Sequence, residues 1–216
     1  MKTFNKFITA LLTVTTLAFA SHALAQAPEA PDVLVKRISQ EVLDIAKADK
    51  EIQGGNQRRV LDLVETKILP YVDFQRMTAL AAGRFWRDAT PEQQKQLTGE
   101  FRSLLVFTYS GAISQVKDQR VEFKPLRMVE GDTEVEVRSQ VVQTRGEPIQ
   151  LNYRLAKSPS GWKIYDVNVL GAWLVETYKS NFATEISRGG IDGLIKTLAD
   201  KNKRLGDSAA KTAKAS

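Results

Sequence analysis

The chain has no cysteine and only one histidine among its 216 residues. Without cysteine there can be no disulfide, no thiolate metal site and no c-type haem attachment. The one histidine, His22, lies in a segment that reads as a secretory signal peptide over residues 1–25. Lys2 and Lys6 open the chain, no acid precedes Glu29, Phe7 to Ala20 is apolar apart from threonines, and Ala23-Leu24-Ala25 is a small-residue cleavage site. A basic start, a greasy centre and an A-x-A end make a signal peptide. The apolar centre falls short of the ~20 residues a transmembrane helix needs.

The mature chain is expected to start at Gln26 and then to hold neither His nor Cys. That excludes Ser-His-Asp and Cys-His catalysis and zinc sites built on imidazole or thiolate. Removal of the leader takes away two lysines and no acid, so the net charge falls from +6 to +4. A +4 chain with interspersed acids is not a nucleic-acid binder by composition, and export argues further against nucleic acid. The mild positive balance favours anionic membrane surfaces only weakly. About 190 residues suffice for one domain held together by its core alone.

Helical periodicity starts after Asp32, read as an N-cap, with Leu34, Ile38, Val42 and Ile45 on one stripe. Gly54-Gly55 breaks it. Asn56 caps a second helix with Val60, Val64 and Ile68 inward, and Pro70 stops it. Asp73 starts a third with Phe74, Met77, Ala81 and Phe85. Thr90-Pro91-Glu92-Gln93 spells a capping box with proline at the first helical position. The helix it opens is expected to run to about Lys117, with an apolar stripe wide enough to touch two layers or to line a space.

Near Arg120 the period changes to two. Val121 and Phe123, then Val135, Val137, Ser139 and Val141, then Ile149, Leu151, Tyr153 and Leu155 alternate with polar residues. With Trp162 to Val169 this predicts a four-stranded antiparallel meander. The last strand is apolar at even positions 162 and 164 and at odd positions 165, 167 and 169, so either a bulge swaps its faces or both faces are covered. Helical spacing returns at Ala172 to Ser187, turns at Arg188-Gly189-Gly190, and resumes at Ile191 to Lys203. Residues 26–203 are expected to form a single α+β domain, and 204–216 a disordered tail. A twisted sheet under one long covering helix makes a cone of the NTF2 or cystatin kind, which is a likeness of folds and fixes no function.

Glycine pairs lack the context of a phosphate loop. Glu134 and Glu136, with Arg138 beside them, read as a glycosidase or metal pair or, far more commonly, as a solvated strand face. Asp166, among Ile164, Tyr165, Val167 and Val169, reads either as a general base in an apolar cone or as a strand-end carboxylate that pairs with an arginine or caps a turn. The aromatic residues suit an ordinary core, or in part a cavity for a greasy ligand.

Ile68-Leu69-Pro70-Tyr71-Val72-Asp73-Phe74, Ala89-Thr90-Pro91-Glu92-Gln93 with Glu100-Phe101-Arg102, and Trp162-Lys163-Ile164-Tyr165-Asp166-Val167 followed by Gly189-Gly190-Ile191-Asp192-Gly193-Leu194 together resemble one family. It is the MlaC-type periplasmic phospholipid-binding proteins, also called the toluene-tolerance auxiliary component, and the likeness spans roughly 32 to 203. The resemblance implies a monomeric, non-enzymatic periplasmic carrier of glycerophospholipid, with no cofactor beyond its lipid cargo, that maintains outer-membrane asymmetry. It implies as partners an inner-membrane ABC transporter bearing an MCE-domain subunit and an outer-membrane lipoprotein–porin complex. Two alternatives remain: a cone-fold enzyme acting on a small apolar substrate through Asp166, and an envelope chaperone without a cavity.

The physics sets a demand on such a carrier. Each exposed methylene costs ~0.8 kcal/mol, so two tails of ~15 would cost on the order of 20 kcal/mol in water. The tails must therefore be enclosed in an apolar slot ~20 Å deep, about the length of a six-residue strand. The expected wall is Val72 and Phe74; Phe101, Leu105 and Tyr109 on the long helix; Val137, Leu151 and Tyr153 on the sheet; and Val167, Val169, Trp173, Leu174 and Tyr178 at the closing strand and helix. For each residue taken singly, ordinary core is the competing account.

Overall fold

A computed structural model describes residues 29–215, with side chains to 209. The expected signal peptide and its cleavage site lie outside the described residues. Among these residues no helix is long and apolar enough to cross a membrane.

The first helix, α1 (Pro31–Ala48), has Pro31 at its first position and Ala30 as an N-cap that offers no side chain. Asp32 therefore sits inside the first turn, where it meets the helix dipole, and is not the cap expected of it. The break after α1 comes earlier than Gly54-Gly55. Asp49 ends α1 and accepts from the N–H groups of Glu51 and Ile52, nucleating a one-turn helix, α2 (Lys50–Gln53). Asn56 caps α3 (Gln57–Lys67) and Asp73 caps α4 (Phe74–Ala82) as read from the sequence. Between α3 and α4, Leu69–Tyr71 forms a 3-10 turn around Pro70. Phe85 belongs to a second 3-10 turn, Gly83–Arg87, and not to α4.

The capping box forms in full at Thr90 and opens α5 (Pro91–Tyr109). This helix stops eight residues short of Lys117 because Ser110-Gly111 propagates an α-helix poorly. The backbone tightens there into a 3-10 segment, Ser110–Gln115.

The sheet has five strands in sequence order, each antiparallel to the next: β1 (Arg120–Phe123), β2 (Glu134–Val142), β3 (Ile149–Ser158), β4 (Gly161–Val169) and β5 (Ala172–Trp173). The meander was expected with four. The fifth arises because Leu170 and Gly171, both at positive φ (54° and 89°), form a two-residue hairpin that returns Ala172–Trp173 along β4. The ambiguity of the last expected strand resolves as a bulge. Arg154 pairs with Asp166 and Leu155 with Ile164, leaving Tyr165 unpaired. The even apolar positions before it and the odd ones after it therefore reach the same face.

The helical run α6 (Leu174–Ala215) is broken at Gly190, where φ 68° and ψ −171° suit only glycine. Its two arms fold on each other, with Thr197 donating to the Glu185 carboxylate at 3.3 Å. The segment 204–215, expected as a disordered tail, continues this helix. Leu205 packs on the core, and the Ala- and Lys-rich remainder has good helix propensity.

Three apolar clusters result. One joins α4, α5 and α6, centred on Phe101 and Phe182. A second joins α1 to β2, β3 and β4. A third joins α1, α2, α3 and the 3-10 segment after α5.

Candidate functional site: an apolar floor on the central strand

Strand register sorts the sheet residues into transverse rows. On the inner face the first row is Val135–Leu155–Ile164 and the second Val137–Tyr153–Val167. The third is Ser139–Leu151–Val169, and Val141–Ile149 lies beyond it. Every member of the first row is buried, and Leu155 is 0% exposed. From Tyr153 onward the apolar residues of the middle strand, Tyr153, Leu151 and Ile149, are all half-buried, as are Val167, Val169 and Val141. One end of the inner face is solid core; the other retains accessible hydrocarbon.

The helices explain the difference. α1 closes on β1 and β2, and α4 and α6 close on β4. β3 draws its close backbone neighbours from the flanking strands β2 and β4. The long helix α5 packs on α4 and α6, so it is not the direct lid over the sheet that its stripe suggested. The stripe is filled by helices instead. Phe101 is 0% exposed and meets Tyr178 and Phe182 edge-on, at 4.9 and 5.0 Å between ring centres.

The expected wall therefore divides. Phe101, Leu105 and Leu174 are closed core among the helices, and Val137 is closed core under α1. Val72 and Val167 touch both of these clusters and bridge them. Phe74, Val169 and Tyr178 are half-buried against the helical cluster, and Tyr153 against the other. Leu151 is half-buried, and Tyr109 is exposed at the end of α5. Trp173 is misplaced by the sequence reading. It pairs with Asn168 on the outer face and lies under Arg154, whose guanidinium sits 3.9 Å from the ring centre. The two-residue strand puts it there, where a continuing helix would have turned it inward. Val72 and Phe74 also line a shallow depression of about 530 Å³ with Asp73, Ser158, Pro159, Ser160 and Lys163, at the β3–β4 hairpin.

Two residues of the inner site escaped the sequence reading. Ser39 on α1 and Ser139 on β2 are the polar neighbours of the Tyr153 hydroxyl. Ser139 Oγ also donates to the Leu151 carbonyl. Ser139 stood out in sequence as the one polar member of an inward-facing stripe; Ser39, beside Ile38, gave no signal. Burial pushes the Tyr153 hydroxyl up to about 12. Burial likewise raises Tyr178 to about 12, with Tyr109 and Thr108 beside it.

The alternative chemical candidates are satisfied by their neighbours. Asp166 is 1% exposed and lies on the outer face, away from the apolar floor. Burial raises its carboxyl, while it accepts from the N–H groups of Val175 (3.1 Å) and Val167 (2.9 Å) and pairs with Arg154 at 3.4 Å. This is the structural arginine partner, and its bond to Val175 fixes the start of α6. Glu134 accepts from Arg76 at 2.6 Å and from the Tyr165 hydroxyl at 2.8 Å, contacts that hold its carboxyl below the usual range. Glu136 is exposed on the same strand face. Among the described residues no group of three or more acidic or histidine side chains is placed to hold a metal.

The fold and site define a class of α+β cups whose sheet keeps an apolar inner face partly open beneath surrounding helices. Comparison with known proteins specifies it further. The sequence model of the MlaC protein family matches residues 36–200, and the chain belongs to that family. It is 23% identical over 188 residues to the intermembrane phospholipid transport system binding protein MlaC of Haemophilus influenzae, covering 86% of this chain and 88% of that one. It is 25% identical over 198 residues to toluene tolerance protein ttg2D of Pseudomonas putida, covering 88% and 92%. Among solved structures, the phospholipid-binding protein from Ralstonia solanacearum in complex with a phospholipid superposes with a TM-score of 0.77. The two are 49% identical, and the match covers 81% of this chain and 98% of that one.

Proposed function

We propose that this protein is a periplasmic phospholipid carrier that relays glycerophospholipid between the outer and inner membranes. The observation that carries the reading is the accessible apolar floor on β3, in a chain whose 49%-identical structural relative is a phospholipid complex. Hydrocarbon facing an interior space is stabilised only if hydrocarbon fills that space, at ~0.8 kcal/mol per buried methylene. The tails lie along Leu151, Tyr153, Val167 and Val169, flanked by Val72, Phe74 and Tyr178, and the headgroup remains in water. Loose headgroup selection follows, because the enclosed part of the ligand is the part all phospholipids share.

The chain reaches the periplasm on the leader 1–25, and residues 26–203 carry the function as one domain. An inner-membrane ABC transporter with an MCE-domain subunit and an outer-membrane lipoprotein–porin complex are the exchange partners. No chemistry is asked of the side chains: Asp166 and Glu134 are occupied by structural bonds, and the inner face offers hydroxyls and hydrocarbon.

The test is a lipid extract of the protein purified from cells under native conditions, together with its intact native mass. A stoichiometric phospholipid is expected. A uniformly lipid-free protein that also takes up none from phosphatidylglycerol vesicles would overturn the reading.

A further inference from the structure

We propose that the corner between α4 and α5, from Leu80 to Arg87, is a membrane-contact surface that seats on anionic phospholipid headgroups. Such a surface governs where the protein touches a bilayer and is independent of what the protein carries. Four observations lead to it.

The first is uncompensated charge. Arg84 and Arg87 are both exposed, and among the described residues neither is ion-paired. Arg76, on the same stretch of chain, is spent on Glu134 at 2.6 Å. Asp88, the one acid between Phe74 and Pro91, is exposed and pairs with neither free arginine. The second is alignment. Residues three apart eclipse one another in a 3-10 turn, and Arg84 and Arg87 are three apart within Gly83–Arg87. Two like charges thus share one side, a repulsion that an apposed layer of anions relieves.

The third is accessible hydrocarbon beside the charge. Phe85 and Trp86 pack against the helical cluster yet are only half-buried, and Leu80, one turn earlier, is 40% exposed. The Arg84 guanidinium lies 4.9 Å from the Phe85 ring centre. Half-wet aromatic rings beside arginines are the chemistry of a bilayer interface, with rings at headgroup depth and guanidinium groups bonded to phosphate. The fourth is rigidity. Gly83 turns the chain at φ 59° and ψ −131°. The Asp88 N–H donates to the Phe85 carbonyl at 3.2 Å, and the Gln94 amide donates to the Trp86 carbonyl at 2.9 Å. The corner is held in place before any contact, so little ordering is needed on landing.

A bilayer satisfies both halves of this patch at once, phosphate for the arginines and acyl carbon for the rings and Leu80. It does so without shape complementarity. A corner of eight residues is small against the ~20–30 that each side gives to a stable protein interface.

The test is co-sedimentation of the protein, purified from the periplasm, with vesicles of phosphatidylcholine alone or with phosphatidylglycerol added. Wild type is expected to bind the anionic vesicles far better than the neutral ones, and less as salt rises. Arg84→Gln combined with Arg87→Gln should weaken partitioning about thirtyfold, since each cation near an anionic surface is worth roughly fivefold. Leu80→Ser should weaken binding without changing its salt dependence. Lys196→Gln combined with Lys203→Gln removes the same charge from α6 and should leave binding within about twofold. Wild type that ignores anionic vesicles overturns the proposal. So does an arginine double variant that binds like wild type, or a lysine double variant that loses as much. Cargo uptake is read separately, as phospholipid mass in the supernatant protein, so loss of carriage does not mimic loss of this contact.

Discussion

Truncation of Phe101 and of Leu151 separates core from lining. Phe101 is 0% exposed and its ring meets two others edge-on. Phe101→Ala removes a full aromatic side chain from a packed interior and should cost ~3–5 kcal/mol, at the upper end because two ring pairs worth ~0.5–1.5 kcal/mol each go with it. Leu151 is half-buried, and burial of a whole leucine is worth ~1.5–3 kcal/mol, so Leu151→Ala should cost the delipidated protein only about 1 kcal/mol. Bound lipid reverses the emphasis. A ligand present at a hundred times its Kd adds ~2.7 kcal/mol to the stability of the folded state. Leu151→Ala should lose part of that increment through weaker binding, whereas Phe101→Ala should be destabilised in both states. Urea unfolding of delipidated and phospholipid-loaded samples measures all four quantities. A cost under ~1 kcal/mol for Phe101→Ala, or one above ~3 kcal/mol for delipidated Leu151→Ala, would refute the division of the site into closed helical core and open sheet floor.

Leu170 sits at φ 54° in the β4–β5 hairpin and is 73% exposed, so its side chain gains little from burial while its backbone is strained. Leu170→Asn, the residue such a turn favours, should stabilise the protein by ~1 kcal/mol in urea unfolding, and a loss of stability would show that the leucine contacts something essential. Tyr153 and Tyr178 are pushed up to about 12 by burial, above the ordinary phenol value of 10.0, so the folded state favours their neutral forms. Their contribution is fully present below pH 10 and is lost as pH rises toward 12. Tyr165, buried and hydrogen-bonded to Glu134, is also raised, so ultraviolet titration of the folded protein should show three of the five tyrosines ionising late, and Tyr153→Phe should remove one of them; ionisation of all five together near pH 10 would contradict their burial.

Much of the local structure was legible because it depends on neighbours in sequence. Thr90, Asn56 and Asp73 cap their helices as read, since a cap needs only its own side chain and the next turn of backbone. The break at Gly189-Gly190 was legible for the same reason. The failures mark where tertiary context intervenes. Asp32 lost the cap to Ala30 because Pro31 could already begin a helix. The stripe of α5 is buried at Leu97, Phe101, Leu104 and Leu105 but not at Tyr109, and what covers it differs from the expectation, because periodicity shows that a face is buried and not by which element. Trp173 was assigned to the wrong face because a two-residue strand leaves almost no periodic trace.

By itself the sequence determined the α+β order, the alternation that gives the sheet one apolar face, the absence of catalytic histidine and cysteine from the expected mature chain, and a family likeness spread over most of its length. Those properties are carried by residue type and short spacing. Only the tertiary structure decided that Tyr165 is the bulged residue, that Asp166 faces away from the apolar side, and that the solid half of the inner sheet ends at Tyr153. Each of these depends on which strand or helix lies opposite. Two residues with the same hydropathy and spacing, such as Val137 and Leu151, become core or lining according to whether a distant helix closes over them.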